Sequence, residues 1–217
     1  MSTEVPVVKP RLRGVSHQYA FFVAVVLGVI VVMTAPDGKA TAAASIYALA
    51  VCGLFGVSAL YHRISWTPAV HRWMRRLDHS MIFVFIAATY TPVALLALHG
   101  ALAGVILAVV WGGALAGIVL NLVWVDAPKW LIALVYVALG WVAVATMPQL
   151  WDTLGWGAVL ALAAGGTLYS AGAVVYARER PDPVPAVFGY HEVFHVLVIA
   201  AAALHYAVIA FAVLPRG

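Results

Sequence analysis

The run His191-Glu-Val-Phe-His195 sets two imidazoles four residues apart. On a helix both rings share one face, about 6 Å apart along the axis, a spacing that lets them bind one metal ion. A third imidazole, His62, closes the run Ser58-Ala-Leu-Tyr-His62, where serine and histidine repeat that spacing. Three neutral imidazoles make an open Zn²⁺ site whose fourth position is left for water, as in catalytic rather than structural zinc. A zinc so held lowers the pKa of its water to about 7. A nearby carboxylate then accepts the proton and offsets part of the ion's charge, and Asp78 is the first choice for that role. Glu192 is the second. It stands in a string that matches H-E-x-x-H of soluble metalloproteases, but it points about 100° away from His191 around a helix. The chain also offers no soluble domain for such an enzyme, and an acidic residue at a helix start is favoured by the helix dipole alone.

Each of these residues has a plainer account when taken singly. His62 suits an interfacial helix end, Asp78 suits a pair with Arg75 or Arg76, and Ser58 suits a hydroxyl bonded to its own helix. His191 and His195 suit hydrogen bonds within a bundle. Together they favour metal binding. His17, His71 and His79 are read as interfacial and His99 as part of a turn. His205, about 15 Å beyond His195 along a helix, lies too deep to join them.

The elements that must carry these residues are set by hydropathy. Of 217 residues, 65% are hydrophobic and 9% are charged, with a mean hydropathy of +1.02. A soluble domain carries about a quarter charged residues, so the long uncharged runs read as membrane helices. Seven segments qualify: about 17–36, 41–62, 78–98, 101–123, 129–149, 153–177 and 189–213. Pro36 to Lys39, Arg63 to Leu77, His99-Gly100, Asp126 to Pro128, Pro148 to Asp152 and Arg178 to Pro185 separate them. The expected fold is an all-α bundle of seven transmembrane helices in one domain, residues 1–217. The apolar run after Lys9, Arg11 and Arg13 is too long for a signal peptide and is read as a retained first helix.

Alternation of the seven segments puts ten of the twelve Lys and Arg on one side, leaving Lys39 and Arg216 on the other. The positive-inside rule then sets the N-terminus in the cytoplasm and the C-terminus outside. That topology, deduced from Lys and Arg alone, brings Ser58, His62, Asp78, His191 and His195 toward one leaflet. Ionisable groups in a membrane are expensive and ask for a partner or a task. Tryptophans such as Trp66, Trp124, Trp130 and Trp156 lie near segment ends, as an interfacial belt requires. Gly112, Gly113, Gly117, Gly165 and Gly166 read as close helix packing. The single Cys52 allows no intramolecular disulfide, and the pI near 9.4 reflects cytoplasmic loops rather than a nucleic-acid surface.

Four separated motifs carry a resemblance: Lys9-Pro-Arg-Leu-Arg-Gly14, Ser58-x-x-x-His62, Leu77-Asp78-His79 and His191-Glu192-x-x-His195. In motif order and topology, over essentially the whole chain, the sequence resembles the haemolysin-III proteins. These are the bacterial branch of the progestin and adipoQ receptor family. The resemblance implies a multi-pass protein of the bacterial cytoplasmic membrane, with an intramembrane zinc on His62, His191 and His195. It also implies that Asp78 approaches the zinc-bound water and that Ser58 supports the site. The wider superfamily includes alkaline ceramidases, which suggests hydrolysis of a lipid amide. Hormone or adiponectin binding is not carried over, because the chain lacks the long N-terminal domain of the animal receptors.

The resulting expectation is a zinc-dependent hydrolase of a lipid amide or ester, with Asp78 shuttling protons and the substrate entering from the bilayer. Two other classes stay open. One is a non-enzymatic sensor of membrane state with structural zinc, and the other is a membrane-disrupting haemolysin. No helix carries the continuous polar stripe of a pore.

Overall fold

Backbone polar groups have no water to bond in hydrocarbon, so apolar runs of this length satisfy them internally as helices. The computed structural model describes residues 9–217; residues 1–8 of the expected domain lie outside the described residues. The elements run α1 (Val15–Met33), α2 (Gly38–Arg63), α3 (Pro68–Leu96), α4 (Ala101–Val123), α5 (Lys129–Gly140), α6 (Met147–Leu154), α7 (Trp156–Arg178) and α8 (Tyr190–Val208). A 3₁₀ segment, Trp141–Thr146, joins α5 to α6 in one continuous span. A π turn, Ile209–Val213, and a 3₁₀ turn, Leu214–Arg216, extend α8. Among the described residues, seven such stretches are long and apolar enough to cross a membrane, so this is a multi-pass, all-α membrane protein.

α2 and α3 are the most buried spans. α3 touches α2, α4 and α5, while α8 packs on α7 and returns to α1. Most of the buried polar residues, including Ser58, His62, Asp78, Ser80, Thr89, His191 and His195, sit on α2, α3 and α8. Large apolar side chains such as Phe22, Leu49, Leu115, Val123 and Phe211 face outward. That inverts a soluble protein's surface and suits a lipid environment.

Several boundaries differ from those expected, each for a local reason. α3 begins at Pro68 rather than 78, with proline in its first turn, where a missing N–H costs nothing. The arginines read as loop residues therefore lie on a helix. Arg75 Nη1 donates to Asp126 at 2.9 Å and Arg76 Nε to the Leu122 carbonyl at 3.2 Å, tying α3 to the end of α4. α2 starts at Gly38 rather than 41, because Asp37 accepts from the Ala40 N–H and caps the helix. The first helix ends at Met33 rather than 36.

Pro148 to Asp152 does not separate the fifth and sixth spans. Pro148 sits in the first turn of α6, and the break falls at Gly155, whose φ of 81° suits glycine. The fifth span narrows to 3₁₀ because a side chain enters its ladder. The Tyr90 hydroxyl accepts from the Ala143 N–H at 2.7 Å and donates to the Gly140 carbonyl. The seventh expected segment, 189–213, is α8 and its π turn, continued by the 3₁₀ turn to Arg216.

A buried amide clamps α4 to α3. Asn121, 1% exposed, donates to the Arg76 carbonyl at 2.8 Å and to Ser80 Oγ at 3.0 Å. Asn121→Leu leaves both acceptors without their donor and is expected to cost about 1–3 kcal/mol. Thermal unfolding in detergent reads this as a lowered midpoint; an unchanged midpoint would remove the clamp from the account of the fold.

Candidate metal centre

The last turn of α2 and the first turns of α8 meet at one end of the bundle, and α3 passes beside them. His62 comes from α2, and His191 and His195 come from α8. One ring nitrogen from each of the three lies within 4.8 Å of the other two, and all three residues are buried. His191 Nε2 stands 3.1 Å from His62 Nε2. The His191 and His195 ring centroids are 4.5 Å apart, and those of His62 and His195 are 5.2 Å apart. Two nitrogens each about 2.0–2.1 Å from a tetrahedral ion stand about 3.3 Å from one another.

The donor chemistry fits a metal. Among the described residues a single contact joins these three imidazoles by hydrogen bonding, and His195 Nδ1 is buried with no partner. A buried polar atom left in that state is costly, and imidazole nitrogens this close together are suited to share one cation. The cluster can therefore hold a metal ion, and an all-imidazole set suits first-row transition metals.

Asp78, buried on α3, brings Oδ2 to 4.0 Å from His62 Nε2. Neither Arg75 nor Arg76 pairs with it; the first holds Asp126 and the second a carbonyl. Asp78 and Ser58 line one cavity with His17 and His79. That cavity runs on between α2, α3, α5, α7 and α8 through apolar side chains such as Leu54, Ile82, Phe85 and Val198.

Glu192 faces elsewhere. Its Oε2 accepts from the Gly189 N–H at 2.8 Å, closing the start of α8, and its Oε1 takes the Arg13 guanidinium at 2.5 Å. Only 1% of it is exposed, and with both oxygens committed it is a structural anchor.

Arg13 belongs to an arm that braces the whole cluster. Arg11 and Leu12 donate their N–H groups to the Ala186 and Val187 carbonyls, docking the arm on the loop before α8. Gly14 follows at φ 78°, where a methyl group would stand 2.6 Å from His62 Cβ. Glycine is needed there both for its backbone and for its lack of a side chain. One turn later His17, 3% exposed, stacks its ring on His195 at 3.6 Å, 12° from parallel. Arg13, Gly14 and His17 thus contact Glu192, His62 and His195 in turn.

The Haemolysin-III related family profile matches residues 6–206. The chain belongs to the haemolysin-III family. Hemolysin-3 of Bacillus cereus is 31% identical over 191 residues, covering 87% of this chain and 84% of that protein. The Hemolysin-3 homolog of Bacillus subtilis (strain 168) is 30% identical over 157 residues, 69% of this chain and 71% of its own length. Monocyte to macrophage differentiation factor of Homo sapiens, a member of the progestin and adipoQ receptor family, is 27% identical over 195 residues. That match covers 88% of this chain and 79% of the human protein.

In this haemolysin-III chain His17 is not the interfacial residue expected from sequence. A signal for it was present: His17 follows the cationic arm by one turn, on the side where the charge bias gathers the other histidines. His79 likewise lines the cavity, its carbonyl accepting from Tyr136 Oη at 2.9 Å. His71 is exposed beside Tyr61, and His99 is an exposed turn residue tied to Gln149.

Gly14→Ala tests the brace without replacing a ligand. It is expected to weaken metal retention by about 10–100-fold, the usual effect of disturbing a group that orients a ligand. His191→Ala/His195→Ala should abolish retention. Elemental analysis after dialysis against graded chelator reads both; wild-type retention in Gly14→Ala would show that the arm does not position His62.

Proposed function

We propose that this protein is a zinc-dependent hydrolase of a lipid amide or ester in the bacterial cytoplasmic membrane. One observation carries the reading: three buried imidazoles converge beside Asp78, a buried carboxylate with no lysine or arginine partner among the described residues, and Asp78 with Ser58 lines an apolar cavity. A purely structural zinc needs no such carboxylate. His62, His191 and His195 would hold the ion as neutral imidazoles, since only an unprotonated ring nitrogen ligates. When bound, zinc supplies a water acidified to a pKa near 7 and an electrophile for a carbonyl oxygen.

The remaining steps belong to the protein. The apolar cavity binds an alkyl chain and excludes bulk water, which strengthens every charge interaction at its polar end. Asp78 takes a proton on its carboxylate and returns it to the departing amine or alkoxide. Ser58, on the same cavity wall, orients the carboxylate or the substrate carbonyl. Among the described residues Asp78 forms no ion pair with lysine or arginine, so no fixed cation competes for the proton it must carry. The amide or ester class follows from the ceramidase-containing superfamily that the sequence motifs resemble.

The orientation proposed is N-terminus in the cytoplasm and C-terminus outside. It rests on ten of twelve Lys and Arg falling on the side that carries His62 and His191. A periplasm-active phosphatase fused after Gly217 should be active, and one fused in the loop at Asp182 inactive. The reverse pattern would overturn the orientation.

Asp78→Asn keeps shape and the three histidines. It is expected to retain about one zinc per chain while turnover of a short-chain lipid amide falls by about 10²–10⁴-fold, the range for loss of a general acid–base. Elemental analysis and a fluorogenic lipid-amide assay read the two quantities on one preparation. Undiminished turnover in Asp78→Asn would remove Asp78 from the chemistry, and absence of turnover in zinc-loaded wild type across amides and esters would remove the hydrolase.

A further inference from the structure

The cavity that begins at Asp78 and Ser58 also reaches His205 and Tyr169. The helical part of α8 is continuous from Tyr190 to Val208. His205 therefore lies about 15 Å beyond His195 along the axis and about 80° around it, on the side that meets α7. Its Nε2 is 3.2 Å from the Leu162 carbonyl of α7. A carbonyl only accepts, so Nε2 carries the hydrogen and Nδ1 is left as a bare acceptor. That Nδ1 is buried and has no partner among the described residues.

The Tyr169 ring stands edge-on to His205, centroids 5.3 Å apart, and the Tyr169 hydroxyl is likewise buried and without a partner. The imidazole fits there because α7 carries Gly165 opposite it; a methyl group at that position would stand 2.5 Å from the ring. Two residues of the cavity wall thus each carry a buried polar atom with no partner among the described residues, one needing a donor and the other able to give or take a hydrogen bond.

We propose that His205 and Tyr169 form a second polar subsite, which recognises a hydroxyl group carried on the alkyl chain of the lipid held at the histidine cluster. This rests on the reading that a lipid carbonyl is bound at that cluster. A hydroxyl is the group that satisfies both partners: its hydrogen goes to His205 Nδ1, and its oxygen accepts from Tyr169. A ketone or ester oxygen would answer Tyr169 and leave Nδ1 bare. An ammonium or carboxylate would be a buried charge without a counter-ion nearby, which the low-dielectric interior penalises heavily. The span corresponds to roughly twelve carbon–carbon bonds of extended chain, each advancing about 1.25 Å. The ligand class is therefore a lipid whose chain is hydroxylated far from its carbonyl.

The test compares dodecanoic acid with its ω-hydroxy counterpart, binding to the zinc-loaded full-length protein in detergent by isothermal titration. Wild type should bind the hydroxy acid at least tenfold more tightly. Tyr169→Phe removes only a hydroxyl that has no partner among the described residues, so it should leave folding and dodecanoic acid binding unchanged while the preference falls to threefold or less. His205→Leu should abolish the preference as well. Equal affinities in wild type, or a preference that survives both substitutions, would overturn the subsite; so would failure of both acids to bind, as when ordered water alone fills the pocket.

The corresponding amides separate this idea from the hydrolase. A binding preference without hydrolysis keeps the subsite and sinks the hydrolase. Hydrolysis without a preference does the reverse.

Discussion

A buried imidazole nitrogen must find a hydrogen, a carbonyl or a metal, and in hydrocarbon there is no water to serve instead. Three such rings meet at one end of the bundle, joined among the described residues by a single 3.1 Å contact, and His195 Nδ1 is buried without a partner. Together they can hold a cation. The same cation would lock the last turn of α2 to the first turns of α8, which are 129 residues apart in the chain. The geometry around the site follows from keeping these two helix ends in register.

The brace comes from a segment with little structure of its own. Lys9 to Gly14 precedes α1, and two of its backbone donors, on Arg11 and Leu12, go to the loop before α8. Arg13 then neutralises Glu192, a carboxylate whose other oxygen closes the start of the ligand helix. Leaving that pair half-made would strand a buried charge, so arm and helix are held together by more than packing. Gly14 lets the chain turn flat against His62, and His17 covers the outer face of His195. Ligand orientation is thus shared among the arm, α2 and α8.

The cavity combines two features that seldom meet. Its walls are largely apolar, while Asp78 lines it with neither arginine of its own helix as a partner. Arg75 and Arg76 are diverted to Asp126 and the Leu122 carbonyl, at the junction of α4 and α5. The early start of α3 makes that diversion possible, because both arginines then project from a helix in fixed directions. Farther in, Tyr90 entering the ladder of the fifth span shapes the wall on which Gly140, Trp141 and Ala143 meet the cavity.

The sequence by itself determined the number of long apolar helices and the three histidines of the cluster. Helix count follows from hydropathy, because hydrocarbon admits few backbone solutions. The four-residue spacing of His191 and His195 forces both rings onto one face, and the charge pattern brings His62 to the same end. Tertiary structure alone decided the rest, since it depends on contacts between distant segments. Asp78 was assigned beside the cluster from sequence, but its freedom from Arg75 and Arg76 depends on where α4 ends. Glu192 lost its candidacy as a base because Arg13, 179 residues away, occupies it. His17 looked interfacial because ring stacking on another helix is not written in local composition, and only its place one turn after the cationic arm pointed toward the cluster. Pro148 looked like a break because proline reads the same inside a loop and in the first turn of a helix. Periodicity and charge are local properties of a chain, whereas the partner of a buried polar group is set by the fold.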